Sequence, residues 1–159
     1  MLAVKNLCQQ TPVKLTIAWI GKTKNPAIQS LTDEYLKRLR QFVEVEGIAL
    51  KDEAALLKLC GYEGKNTRRR LVLLDLRGKQ LSSEELAGFL RERFDRNPAP
   101  LVFAIGAADG FSDELRRKAD LVLSLGKMTL AHELARVVLL EQVYRAFTIL
   151  KGHPYHLGH

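Results

Sequence analysis

Cysteine is scarce in this chain. Cys8 and Cys60 are the only two among 159 residues, they lie far apart, and neither belongs to a CxxC pair. That excludes a disulfide framework and a cysteine-rich metal site, and it fits two reduced thiols in a cytoplasmic protein. Long apolar runs are missing too. No stretch approaches the roughly 20 residues that span a bilayer, and Gln9-Gln10 interrupts the opening MLAVKNLCQQTPV, so neither a membrane span nor a signal peptide is read here. The phosphate-binding and nucleophile motifs are absent as well. GxGxxG does not follow the first strand pattern, GKMTL lacks the spacing of a P-loop, and no GxSxG occurs. Nucleoside triphosphate hydrolysis and serine-elbow hydrolysis therefore have no support. A dinucleotide-dependent oxidoreductase would have to bind its cofactor without the usual fingerprint. Neither an internal repeat nor a low-complexity tract appears.

What is present describes one α/β domain. The length suits a single domain, and 47% apolar with 27% charged residues is an ordinary globular balance. A net charge of +7 and a pI near 9.6 favour an acidic partner: RNA, DNA or an anionic surface. Residues 13–20, 43–50, 71–75, 101–105 and 121–125 read as strands, the fourth apolar throughout and so buried on both faces. Between them lie helices. Asn25-Pro26 starts the first, followed by Ile28, Leu31, Tyr35, Leu39 and Phe42 at helical spacing. Residues 51–60 form a second. Ser82 with Glu85 makes a capping box for a third, ending near Phe94. Ser112 caps a fourth, short helix, and Thr129 is expected to cap the longest, about residues 130–150, which Gly152 stops. Arg77-Gly78-Lys79 reads as a turn after the third strand. The alternation βαβαβαβαβα predicts a mostly parallel sheet flanked by helices over residues 13–159, behind an N-terminal extension of residues 1–12.

In such sheets ligands bind at the carboxyl ends of strands. Three strand-end loops are candidates: residues 75–79, 106–110 and 126–129. Two readings of Gly106 and Gly110 stay open, a tight turn or a close backbone approach to a ligand. The long helix carries His132, Glu133, Arg136, Glu141, Gln142 and Arg145 on an otherwise apolar segment. These belong either to a subunit interface with charges paired across a two-fold axis or to the wall of a site. The basic runs Lys37-Arg38 and Arg68-Arg69-Arg70 are solvated faces or phosphate contacts. No metal site is expected from His153, His156 and His159 in the tail.

The motifs LVLLDLRGKQLSSEELA, VFAIGAADG, LSLGKMTLAHELARVVLLEQVYRAFTILKG and HPYH, together with IGKTKN and the EYLKRL helix, resemble the RlmH-type ribosomal RNA large-subunit methyltransferases of the SPOUT class. The resemblance spans most of the chain. It implies a C-terminal trefoil knot that binds S-adenosyl-L-methionine (AdoMet), with no metal. It also implies a homodimer that N3-methylates a pseudouridine in 23S ribosomal RNA on assembled ribosomes.

By position, the resemblance gives the cofactor Leu74, Gly106, Leu125, Gly126, Lys127, Met128, Thr129 and Leu130, and gives the chemistry His132, Arg145, Tyr155 and His156. Three features depart from the pattern: Ala107 where a second glycine is usual, a shorter region between the second and third strands, and the residues before the first strand. The neutral imide nitrogen must lose its proton, and His156, then His132, are the candidate bases. Proton loss to water beside Arg145 is the alternative. A non-catalytic ribosome- or RNA-binding module of the same fold is the competing functional reading.

Overall fold

Period-two patterning and apolar runs build one five-stranded sheet. The computed structural model describes residues 14–62, 68–96 and 99–157. Strand β1 (Lys14–Ile20) lies between β2 (Glu44–Leu50) and β4 (Leu101–Ile105). Next to β4 runs β3 (Arg70–Gln80), and β5 (Leu121–Ser124) forms the edge, giving the order β2-β1-β4-β3-β5 with every pairing parallel. Parallel neighbours require crossover helices, and these cover both faces. Helices α1 (Pro26–Leu39), α3 (Ser83–Arg96) and α5 (His132–Lys151) pack on one face, over Leu15, Ile17, Phe103 and Ile105. Helices α2 (Glu53–Leu59) and α4 (Asp113–Lys118) pack on the other, over Ala18, Leu73, Val102 and Ala104. The alternation of Ile17 with Ala18 and of Phe103 with Ala104 between the two clusters is the strand period made visible. A single 3₁₀ turn, Pro154–Leu157, follows α5.

Most expected helix starts are found. The Asn25 side chain accepts from the Ala27 amide at 2.9 Å, and the Ser112 hydroxyl from the Leu115 amide at 3.2 Å. Ser82 and Glu85 form a reciprocal pair at 3.0 Å in each direction. The expectation for Thr129 is corrected. Helix α5 begins at His132 with Ala131 in the cap position, and no side chain caps it. Thr129 instead lies in the irregular segment between β5 and α5.

The third strand also differs from the expected 71–75. It resumes after an excursion, so Leu74 and then Lys79 both lie opposite Leu123, and Gln80 lies opposite Ser124. Residues 75–78 bulge out of the ladder. The Asp75 carboxylate holds the excursion by accepting from the Arg77 amide at 2.9 Å. Gly78 permits it: a β-carbon there would stand 2.6 Å from the backbone carbonyl of Val122. Only a residue without a side chain lets the two backbones pass this closely.

Candidate active site

The ends of β3, β4 and β5 enclose a cavity of about 410 Å³, within the range of small-molecule and cofactor sites. Each wall has a local cause. The 75–78 excursion brings Leu74, Asp75 and Arg77 to one side. The turn after β4 supplies Gly106 and its neighbours, because β4 is buried along its whole length and the chain first reaches the surface past its carboxyl end. A β-carbon on Gly106 would stand 3.2 Å from the Phe111 ring and 3.3 Å from the Gly110 carbonyl carbon, so the turn is closely packed against itself. The stretch leading to the uncapped start of α5 contributes Leu125, Met128, Thr129, Leu130 and His132.

Of the eight residues expected to hold the cofactor, six therefore line one cavity: Leu74, Gly106, Leu125, Met128, Thr129 and Leu130. Gly126 and Lys127 do not. Gly126 turns the chain with φ 148°, its amide held by the Ser124 hydroxyl at 3.2 Å, and Lys127 is exposed at the tip of that turn. Ala107 lies on the cavity wall, so its methyl group does take space there.

The electrostatics of the rim were not anticipated. Asp75 forms a fork with Arg77, Nε to Oδ1 at 3.0 Å and Nη2 to Oδ2 at 3.1 Å. Arg116 approaches the same carboxylate at 3.6 Å and donates to the Phe111 carbonyl at 2.7 Å. Asp75 thus ties the 75–78 excursion to the turn after β4, the two loops that face each other across the cavity. The bonds from Arg77 hold its carboxyl below the usual carboxylate range. The sequence signal was available, since Asp75 opens one of the three strand-end loops, but the pairing with Arg116 is 41 residues distant in sequence.

The expected catalytic residues do not form one group within the chain. His132 lines the cavity. Arg145 lies thirteen residues further along α5, about 20 Å along the helix axis. There it is paired with Glu141 at 2.6 Å, and it stacks over Tyr155 with 5.0 Å to the ring centre. The Tyr155 hydroxyl donates to the same Glu141 oxygen at 3.1 Å, and its ring meets Tyr144 edge-on at 4.7 Å. Burial, then the Tyr35 hydroxyl and Glu141, push the Tyr155 phenol well above its ordinary value, so it remains a proton donor. The backbone of His156 belongs to the final 3₁₀ turn, and its side chain lies outside the described residues. Among the described residues no cluster of ligating side chains suits a metal ion, and no helix is long and apolar enough to cross a membrane.

This arrangement has counterparts. The family described as "Predicted SPOUT methyltransferase" matches residues 13–156. The chain belongs to that family, a class of methyltransferases. Among curated relatives, it is 58% identical over 147 residues to the ribosomal RNA large subunit methyltransferase H of Koribacter versatilis, covering 92% of this chain and 100% of that one. It is 43% identical over 152 residues to the protein of the same name from Geobacter sulfurreducens, covering 91% and 99%. Two solved structures share the fold. A probable methyltransferase from Bordetella pertussis superposes with a TM-score of 0.57 at 11% identity, covering 92% of this chain and 98% of that one. The SpoU methyltransferase AviRb from Streptomyces viridochromogenes, determined in complex with AdoMet, superposes with a TM-score of 0.50 at 15% identity, covering 88% and 60%.

Proposed function

We propose that this chain is an AdoMet-dependent methyltransferase acting on large-subunit ribosomal RNA, and that its target is N3 of a pseudouridine in 23S RNA on assembled ribosomes in the cytoplasm. The cavity at the joined ends of β3, β4 and β5 carries the proposal. It has the size for a nucleoside-containing cofactor, apolar walls at Leu74, Ile105, Leu125 and Leu130, and a carboxylate acceptor at Asp109. That combination fits AdoMet, which has a flat base, hydroxyls and an ammonium group. When bound, AdoMet supplies an electrophilic methyl group on a sulfonium sulfur.

The chain's own part is to position and to handle a proton. Backbone groups of Leu125, Met128, Thr129 and Leu130, with Gly106 and Leu74, would hold the cofactor's nucleoside. The close pass of Gly78 against β5 supports a trefoil knot, in which the C-terminal part of the chain threads past the 75–78 excursion. A neutral imide must lose its N3 proton, and His156 is the first candidate base with His132 second. Arg145 and Tyr155 stabilise the charge left on the target ring. Since they sit about 20 Å along α5 from His132, the reading includes a homodimer in which one protomer's tail completes its partner's site. The catalytic domain on this reading is residues 13–159, with 1–12 an extension.

The test is incubation with methyl-labelled AdoMet and ribosomes that lack the modification, followed by mapping of the label. Label on one pseudouridine of 23S RNA is expected. Saturable AdoMet binding without transfer to any RNA would favour a non-catalytic module instead. His156→Ala should retain AdoMet binding and lose most transfer, and unchanged turnover would remove His156 from the mechanism.

A further inference from the structure

Arg136 is the largest fully buried side chain described, at 1% exposure. Buried guanidinium groups are normally matched by a carboxylate. This one has no ion pair among the described residues. Its Nη1 donates to the Thr23 hydroxyl at 2.7 Å, its plane stacks on Trp19 with 4.0 Å to the ring centre, and its Nε has no hydrogen-bond partner. The carboxylate that acts on it is Glu133, three residues earlier on α5, which keeps its charge but lies partly in solvent, forms no ion pair with Arg136 and accepts from the Lys24 amide at 2.5 Å.

The position matters as much as the missing partner. Arg136 follows Ala135, a cavity wall residue, on α5. Trp19 is in register with Ile105, another wall residue, on the neighbouring strand, and both belong to the same apolar cluster. One strand spacing is about 5 Å, which places the guanidinium on the order of 10 Å from the cavity. Of the two carboxylates on the cavity wall, Asp75 is matched by Arg77 and Arg116, and Asp109 is exposed and screened by solvent. The nearest unmatched buried charge behind the cavity is therefore cationic.

We propose that Arg136 is a charge-setting residue of the methyl-donor site, one that disfavours the cationic sulfonium relative to the neutral thioether left after transfer. This rests on the AdoMet reading above. Methyl transfer breaks the C–S bond with its electron pair left on sulfur and forms the N–C bond from the acceptor nitrogen's lone pair, while the imide proton passes to a base or to solvent. The sulfur thereby goes from one positive charge to none. A fixed buried cation behind the wall favours that loss of charge and favours negative charge on the acceptor ring. The interaction of unit charges at about 10 Å with an effective dielectric near 20 corresponds to about a tenfold bias.

Binding alone tests this, without turnover. Dissociation constants for AdoMet, for its neutral product S-adenosylhomocysteine and for the charged analogue sinefungin are measured by calorimetry on the full chain. The wild-type protein should hold the neutral product several-fold to about tenfold more tightly than either cationic ligand. Arg136→Met and Arg136→Gln should collapse that preference toward unity, and Arg136→Lys, which keeps the charge, should preserve it. General damage to the site would weaken all three ligands together and leave the ratio alone. Wild-type preference for the cationic ligands overturns the inference even where the neutral variants fail to fold, as does an unchanged ratio in folded Arg136→Gln. If the wild type binds none of the three, the AdoMet reading itself falls.

Discussion

The two halves of the sheet differ in regularity. Strands β1 and β2 pair over seven consecutive residues without a shift. Strands β3 and β5 pair for three residues, part around the 75–78 excursion, and pair again at the same β5 residue, Leu123, for two residues more. The regular half carries apolar packing on both faces and contributes little to the cavity. The broken half sets Leu74, Asp75 and Arg77 in the wall of the cavity. Ladder hydrogen bonds given up at one place become cavity wall at that place. The local rules of strand formation are broken where the cavity forms and obeyed where the sheet only packs.

The largest effect that sharpens this contrast comes from one substitution made in each half. Gly78→Ala sets a β-carbon 2.6 Å from the Val122 backbone, which cannot retreat without breaking the ladder. It should cost roughly 3 kcal/mol or more in denaturant unfolding and abolish AdoMet binding. Gly47→Ala, in the regular half, meets only side chains, the tip of Leu36 at 2.8 Å and the edge of the Trp19 ring at 3.0 Å. A side-chain tip can rotate away, so about 1 to 2 kcal/mol is expected, with binding retained. Equal costs at the two positions would erase the distinction.

A smaller effect is expected at the rim. Asp75→Asn keeps the shape and removes the charge that joins Arg77 to Arg116 across the cavity. AdoMet affinity should fall about tenfold, as expected for losing a charge-assisted fork, while the melting temperature changes by only a few degrees. The wild-type protein should mirror this with pH. Because the Asp75 carboxyl lies below its ordinary value, its contribution to stability is complete above about pH 4 and is lost as pH falls through the lower folded value. Calorimetry in Asp75→Asn should show that part of the acid sensitivity removed.

The smallest effect concerns helix starts. Thr129→Ala should change stability by less than about 0.5 kcal/mol, because Thr129 caps nothing. Asn25→Ala removes a formed cap at the start of α1 and should cost about 1 kcal/mol. A larger loss at Thr129 than at Asn25 would contradict the observed start of α5.

These contrasts also explain what the sequence made legible. Strand positions, the parallel sheet and three caps followed from local patterns: period-two apolar residues, an Asn-Pro pair, a Ser-x-x-Glu box. The strand-end loops were visible because glycines follow apolar runs at 106 and 126. What escaped was set by contacts distant in the chain. The resumption of β3 depends on Gly78 meeting Val122, and the tether at Asp75 depends on Arg116. The placement of Arg136 depends on Trp19 and Thr23, more than a hundred residues earlier. Thr129 misled because Ser, Thr, Asp and Asn before an apolar run usually cap, and here the helix starts three residues later and Thr129 lines the cavity instead.

Calorimetric titration of AdoMet into the wild-type chain and into Gly106→Val tests the central claim most directly. A valine side chain at 106 would occupy the turn already packed within 3.3 Å of its neighbours. Saturable binding to the wild type, and its loss in a variant that still shows a cooperative unfolding transition, is the result expected. Equal affinity in both proteins would place the methyl donor somewhere other than the joined ends of β3, β4 and β5.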